Sequence, residues 1–173
     1  MDVFEAIEGR RSVRRFKPDP IDERDLEKIL NAGRLAPSAG NCQPWEFVVV
    51  RNEDIKRELV RAALGQSFVA GAPVVVVVCA NIPKSSNRYG GRGAELYCIQ
   101  DTAAAIQNML LTAYALGYGT CWVGAFDEET ASRAIKAPEG VRPVGIIPIG
   151  RPAERPKAPP RISLNEMVHE NTF

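Results

Sequence analysis

Residues 74–80 read VVVVVCA, a run that is apolar at every position. Its length is typical of a strand, and it is far shorter than the ~20 residues that a membrane-spanning helix needs. Because successive side chains of a strand point to opposite faces, an uninterrupted apolar run predicts a strand in the middle of a sheet, with helices covering both faces. The run does not decide between parallel and mixed pairing.

The segments on either side alternate between helical and strand patterns. Asp22 and Asp127 are each placed to cap a helix, and the two prolines in 143–149 indicate that this strand ends there or lies at an edge. Predicted helices span residues 2–9, 53–64, 95–116 and 128–136, and another begins after Asp22 with Leu26, Ile29 and Leu30 on its apolar face. The predicted strands span 45–50, 74–80, 120–126 and 143–149, and the predicted polar loop spans 81–93. The fold class that follows is α+β, a layered mixed β-sheet flanked by helices.

The composition is that of an ordinary globular protein, with no strong electrostatic field from net charge. It has 173 residues, of which 45% are hydrophobic and 25% charged, and 22 Lys and Arg against 21 Asp and Glu give a formal net charge of +1. This near-neutrality argues against nucleic acid and anionic membranes as partners. The first residues lack the basic and apolar regions of a signal peptide, so we expect a cytoplasmic protein.

Cysteine and histidine are too sparse for most metal or hydrolase sites. The single histidine is His169, and none of the cysteines has a zinc-site spacing. We therefore expect no metal, and we expect reduced thiols that are mostly buried, at Cys42, Cys79, Cys98 and Cys121.

The strongest candidate for a ligand site is the basic segment 10–16, RRSVRRF. Guanidinium groups bind phosphate through paired hydrogen bonds, and a serine adds a neutral donor. In an extended chain, alternate side chains share one face, which would group Arg10, Ser12 and Arg14. The alternative is a solvated basic turn.

Two further segments offer polar groups between small residues. Residues 36–44, APSAGNCQP, would let a flat ligand approach the backbone and would present Ser38, Asn41 and Gln43, although an ordinary connection between helix and strand explains them too. The glycines of 117–125 expose backbone amides or merely turn the chain. Arg88 and Arg92 in the polar loop could receive an acidic ligand or stand in solvent.

The last residues differ from the rest of the chain. Residues 151–161, RPAERPKAPPR, are rich in proline and in basic residues that could close an anion site. An apolar stretch with Ile162, Leu164, Met167 and Val168 follows, and it cannot fold back locally. We expect residues 1–150 to form the main domain and 151–173 to form an arm that lies on a partner subunit; disorder is the alternative.

Taken in order, these segments resemble the FMN-dependent nitroreductase family. The resemblance covers nearly the whole chain, and its most specific parts in combination are APSAGNCQPW and GYGTCWVGAF. It implies non-covalently bound FMN, with each active site built from both chains of a homodimer. The residues implied to bind the cofactor are Arg10, Arg11, Ser12 and Arg14 from one subunit, Pro37, Ser38, Ala39, Asn41 and Gln43 from the other, Gly124 and Ala125 beside flavin N5, and Lys157 and Arg161 at the phosphate.

Within that resemblance, Arg10 and Ser12 hold the phosphate and Arg14 lies at the pyrimidine edge of the flavin. The chain departs from some members at Gly124, where they have an acidic residue, and at Gly65 and Phe68, where they have Asn and Lys.

The implied activity is hydride transfer from NAD(P)H through flavin N5 to a nitroaromatic or quinone acceptor, in a ping-pong mechanism. The flavin carries the chemistry, so no catalytic side chain is required. Dehalogenation, flavin reduction and non-catalytic FMN binding are the alternatives.

Overall fold

The computed structural model describes residues 1–173, which form a three-layer α+β domain. The helices are α1 (Val3–Gly9), α2 (Glu23–Arg34), α3 (Glu53–Ala62), α4 (Ile82–Arg92), α5 (Cys98–Ala115) and α6 (Glu128–Ile135), and the strands are β1 (Trp45–Val50), β2 (Val74–Asn81), β3 (Gly119–Thr120) and β4 (Val141–Gly150). The strand order in the sheet is β1-β2-β4-β3.

Both faces of β2 are buried, as the apolar run predicts. Val74, Val76 and Val78 pack into the core beneath α2 and α5. The alternate residues Val75 and Val77, together with Cys79, pack into a second core with α3 and α6. The layered fold class is therefore confirmed.

All three pairings between strands are antiparallel. The parallel component of the expected mixed sheet is one isolated bridge between Ser12 and Thr120. The two predicted caps are confirmed, because the Asp22 carboxylate accepts from Arg24 N at 2.8 Å and that of Asp127 from Thr130 N at 2.8 Å.

The expected edge position of the last strand was wrong, since β4 lies between β2 and β3. Ile146 exchanges both backbone hydrogen bonds with Val123. Pro148 lies two residues further along β4, so its backbone points to the same side of the strand as that of Ile146. On that side, Pro148 lies between the pairing with β3 and the bridge to Val123 and has no backbone partner. Because no hydrogen bond is made at this position, the missing N–H of proline costs none. Pro143 lies beside a register shift at Val78 and Cys79, where the ladder is already interrupted.

Two other boundaries differ from the sequence expectation. The polar loop expected over 81–93 is helix α4, begun by Asn81, whose side chain accepts from Lys84 N, and kinked at Gly90. A π-helical turn over Gly93–Tyr97 then leads into α5. The expected strand 120–126 shrinks to β3 and the single Val123–Ile146 bridge. No helix in the structure combines the length and apolar character that a bilayer crossing requires.

The end of the chain divides into an attached part and an exposed part. Lys17 N donates to Arg151 O at 2.8 Å and Ala153 N donates to Arg15 O at 2.9 Å, so this stretch is fastened to the basic segment. Every residue from Lys157 onward is exposed.

Replacing Leu59 by alanine is expected to lower the free energy of unfolding by about 2–5 kcal/mol, because the side chain is fully buried and would leave a cavity. Leu64→Ala is the matched control, since Leu64 is 71% exposed, and its effect should stay within about 0.5 kcal/mol. Urea unfolding followed by circular dichroism measures both. Equal losses would contradict the position of the second core.

Candidate functional site

The basic segment 10–16 is held in an extended conformation between β3 and the start of the tail. Val13 N donates to Thr120 O at 2.8 Å, and the Val13 side chain is buried. At its far end Phe16 forms an antiparallel bridge with Pro152. Because both ends are fixed, the side chains between them have defined directions.

Glu154 neutralises one arginine of this segment and leaves the others free. One of its carboxylate oxygens accepts from the backbone Arg14 N at 2.6 Å, and the other lies 3.7 Å from Arg15 Nε. The guanidinium of Arg14 instead lies 5.8 Å from the ring centre of Phe68. Glu154 was missed by sequence reasoning, although it is the one acidic residue among 151–161.

Arg10 is half-buried among other cations. Burial lowers its pKa, and the positive charges of Arg11 and Arg161 lower it further. None of the guanidinium groups of Arg10, Arg11, Arg14 and Arg161 has a carboxylate within 4 Å. Such an uncompensated cluster favours an anionic ligand, and a phosphate matches its donors.

Arg10, Ser12 and Arg14 all act on the buried Cys121. Burial raises the pKa of the Cys121 thiol, whereas Arg14, Ser12 and Arg10 act in the opposite direction. A shared face for Arg10, Ser12 and Arg14 stays a prediction from the extended conformation of the segment.

A cavity of about 400 Å³ opens between the end of α1, the end of α5 and the tail. Arg10 and Arg11 line it together with Tyr114, Thr120 and Arg155. Its volume lies within the range of small-ligand sites. Lys157, which the resemblance assigns to the phosphate, follows the cavity-lining Pro156 but is exposed, and no contact joins it to Arg10.

Arg151 has a structural contact instead of an open cationic end. Its guanidinium lies 4.1 Å from the ring centre of Tyr118 and donates to the carbonyl oxygens of Leu116 and Gly117 at 3.2 and 3.3 Å. These carbonyls follow the last turn of α5, so Arg151 caps that helix. The expectation that Arg151 helps to close an anion site was wrong.

The turn at Gly124 and Ala125 lies open beside Phe68. A side chain at Gly124 would meet no atom within 4 Å. Gln66 Nε2 donates to Ala125 O at 3.2 Å and to Ala63 O at 3.0 Å, which fixes the turn to the segment that carries Phe68. Gln66 is a second positioning residue that sequence reasoning missed.

Residues 37–43 form a strained loop. The φ angles are +52° at Gly40, +56° at Asn41 and +50° at Gln43, in the left-handed region that side-chain-bearing residues seldom adopt. Ser38 Oγ accepts from Gln43 N at 3.0 Å, and the side chains of Asn41 and Gln43 are exposed. Gln43 Nε2 donates to Asn41 O at 3.4 Å, and both residues lie near the exposed Pro37.

Asp101 of α5 anchors this loop. One carboxylate oxygen accepts from Ala39 N at 3.1 Å, while the other is buried without a hydrogen-bond partner. Burial raises the pKa of Asp101, and the Ala39 hydrogen bond opposes that rise.

A single chain does not bring the basic segment and this loop together. The loop is attached at Asp101, near the start of α5, whereas the end of α1 packs on Tyr114, near its end. Thirteen helical residues at 1.5 Å each separate these anchors by about 20 Å. The structure thus groups Arg10, Ser12, Arg14, Gly124, Ala125 and Arg161 on one part of the surface, and Pro37, Ser38, Ala39, Asn41 and Gln43 on another.

The fold and the cluster together define an α+β domain suited to a phosphate-bearing ligand, and comparison with known proteins specifies the family. The model of the nitroreductase family matches residues 7–67 and 60–151. A candidate NADH dehydrogenase/NAD(P)H nitroreductase of Methanothermobacter thermautotrophicus is 37% identical over 160 residues, covering 90% of this chain and 80% of that protein.

Other relatives agree over most of the chain. An oxygen-insensitive NADPH nitroreductase of Salmonella typhimurium is 29% identical, covering 99% of this chain and 74% of that one. The structure of an NADPH:FMN oxidoreductase from Vibrio harveyi, complexed with NAD⁺, has a TM-score of 0.91 at 25% identity, and covers 99% of this chain and 77% of that chain. The chain belongs to the nitroreductase family, which confirms the resemblance seen in the sequence.

The stability of Asp101→Asn relative to the wild type is expected to rise with pH. Because burial raises the pKa of Asp101 in the folded state, its ionisation destabilises the wild type as pH increases above the ordinary value of 3.8. Asparagine keeps an oxygen for Ala39 N but cannot ionise. Urea unfolding of both proteins between pH 4 and pH 8 measures the difference, and a difference independent of pH would contradict the argument.

Proposed function

We propose that the chain is an FMN-dependent oxidoreductase that uses NAD(P)H to reduce an electron-poor acceptor of the nitroaromatic or quinone type. The observation that carries the proposal is the uncompensated cationic cluster around Arg10 in a member of the nitroreductase family. When bound, FMN supplies the transfer of electrons from NAD(P)H to the acceptor. The protein contributes binding, orientation and charge.

Arg10, Ser12 and Arg161 bind the phosphate of FMN. Arg10 is half-buried and has no carboxylate of its own, so a phosphate would offset both the burial and the repulsion from Arg11 and Arg161 that lower its pKa. Arg11 adds charge from the cavity side, and Lys157 would add charge from the exposed tail. The absence of an adenosine-binding glycine motif favours FMN over FAD.

Arg14 places a positive charge beside the flavin ring. Its backbone is fixed by Glu154 and its guanidinium rests near Phe68, so the charge is held at a defined position. A cation beside the pyrimidine edge favours the reduced, more negative form of the cofactor. The open turn at Gly124 and Ala125 leaves room for backbone amides to approach the ring.

Two chains share each site in this proposal. The basic cluster of one protomer and the loop 37–43 of its partner would face the same cofactor, because one chain holds them about 20 Å apart along α5. Apolar side chains left exposed on α1 and on the tail support such a dimer, namely Val3, Phe4, Ile7, Ile162, Leu164, Met167 and Val168. The division into a domain over 1–150 and a partner-bound arm over 151–173 is part of this proposal. The first residues of the arm, Arg151–Glu154, contact their own chain.

Steady-state assays test the activity itself. Purified protein should be yellow, and the flavin absorbance should bleach when NADH or NADPH is added. Continued oxidation of NAD(P)H with a nitroaromatic or quinone supports the enzyme, whereas bound flavin without turnover supports a non-catalytic FMN-binding protein. Turnover with a halogenated substrate alone would favour dehalogenation.

Arg10→Ala is expected to weaken FMN binding at least about tenfold, since a charge-assisted hydrogen bond contributes roughly 1.5–3 kcal/mol. Titration of the flavin-free protein with FMN, followed by flavin fluorescence, gives the dissociation constant. Arg24→Ala is the control, because Arg24 is an exposed arginine of α2. Equal affinities in wild type and Arg10→Ala would remove Arg10 from the phosphate site.

Mixing two inactive variants tests the shared site. One carries Arg10→Ala and Ser12→Ala; the other carries Asn41→Gly and Gln43→Gly, which remove side chains while tolerating the positive φ. Random exchange makes half of the dimers mixed, and each mixed dimer holds one intact site, so activity should recover to about a quarter of the wild-type value.

Each variant measured alone sets the baseline for that experiment. Recovery that appears only after subunit exchange supports the shared site. A mixture that stays at the sum of the two separate variants shows that each chain builds its own site.

A further inference from the structure

A second cationic group lies on α4 and the π-helical turn that follows it. The guanidinium of Arg88 lies 5.5 Å from the ring centre of Tyr89, and that of Arg92 lies 5.2 Å from the ring centre of Tyr97. Arg92 Nε also donates to the Tyr97 hydroxyl at 2.9 Å. The two tyrosine rings meet edge to face with their centres 5.2 Å apart, so the four side chains form one patch.

This Arg–Tyr patch (Arg88, Tyr89, Arg92 and Tyr97) carries uncompensated charge. Residues 82–97 contain three basic residues and one acidic residue, Glu95, which forms no ion pair with either arginine. Lys84 is paired with Glu46 at 2.8 Å, but neither Arg88 nor Arg92 has a carboxylate within 4 Å. Both arginines are exposed, so an incoming anion can reach them.

The backbone of this segment is shaped to form the patch. Gly90 has φ +56° and ψ −140°, which breaks the helix between the two Arg–Tyr pairs. A side chain at Gly93 would lie 2.5 Å from Ser85 O, so only glycine allows the chain to pass there. These two glycines allow the backbone to bend so that the rings of Tyr89 and Tyr97 are in contact.

The patch is joined to the loop that the proposed function places along the flavin. Arg88 Nη1 donates to Gly40 O at 2.6 Å, between Ala39 and Asn41. The hydrogen bond fixes the position of α4 relative to the amide side chains of that loop. An occupant of the site would therefore have the patch beside it.

We propose that the Arg–Tyr patch binds the carboxylate of an anionic aromatic acceptor. The inference rests on the proposed function and specifies the substrate class of the same site. Guanidinium forks match a carboxylate, and tyrosine rings offer faces and edges to an aromatic ring. The phosphate on the ribose of NADPH presents similar oxyanion chemistry, and the experiment separates the two sources.

The test compares an anionic probe with a neutral probe of the same shape on the flavin-loaded protein. Isothermal titration calorimetry with 4-nitrobenzoate and 4-nitrobenzamide gives two dissociation constants. We expect the wild type to bind 4-nitrobenzoate more tightly, and the ratio of the two constants to fall about fivefold in Arg92→Gln, as expected for the loss of one partly exposed charge pair. Arg24→Gln is the matched control and should keep the wild-type ratio.

Tyr97→Phe provides a second variant that keeps the ring. It removes the hydroxyl that accepts from Arg92 Nε, so the preference for 4-nitrobenzoate should fall by less than in Arg92→Gln. Equal affinities for the two probes in the wild type, or an unchanged ratio in Arg92→Gln, would overturn the proposal.

A titration with NADPH and NADH distinguishes the other source of oxyanion. If Arg92→Gln weakens NADPH but not 4-nitrobenzoate, the patch binds the reductant and the assignment to the acceptor is wrong. Failure of the proposed function itself is visible earlier, because the wild-type protein would then retain no flavin to load.

Discussion

Burial of β2 on both faces is the constraint on which the rest of the structure depends. Val76 and Val77 are adjacent residues, yet each is fully buried in a different core. Two helical layers are needed to cover a strand of this kind, so polar groups are excluded from both faces of the sheet. The residues able to bind a ligand consequently lie where the chain leaves these layers, in the segment before α2, the loop before β1 and the turn after β3.

Elements with strong local signals could be predicted from the sequence. The apolar run of β2 and the capping residues Asp22 and Asp127 act through their immediate neighbours, so pattern is sufficient. Helix α4 could not be recognised because its two serines, one asparagine and two glycines resemble a loop, and only contact with the rest of the chain selects the helix. The position of β4 depends on which side of the strand Pro148 faces, a property of pairing that composition does not contain.

The candidate site divides in the same way. The order of motifs along the whole chain, rather than either segment alone, indicates the basic segment and the loop 37–43. The supporting residues could not be found, since Glu154 and Gln66 act across 140 and 59 positions of sequence respectively. Arg151 shows the reverse case: a basic residue in a basic tail was grouped with the anion site, but the end of α5 and the ring of Tyr118 already use its charge.

The two cationic groups without carboxylate partners would let a nearly neutral chain bind the two anionic ligands that we propose. Six of the arginines are paired with carboxylates, among them Arg51, Arg133 and Arg142, and these pairs offset part of the positive charge elsewhere on the surface. Within one chain, the cluster around Arg10 lies near one end of α5 and the Arg–Tyr patch is joined to the loop anchored near the other. In the proposed dimer, the partner's copy of the loop would bring its patch to the cofactor that the cluster holds. One cationic group would then retain a resident phosphate by burial, while the other, being exposed, could release its anion at each turnover.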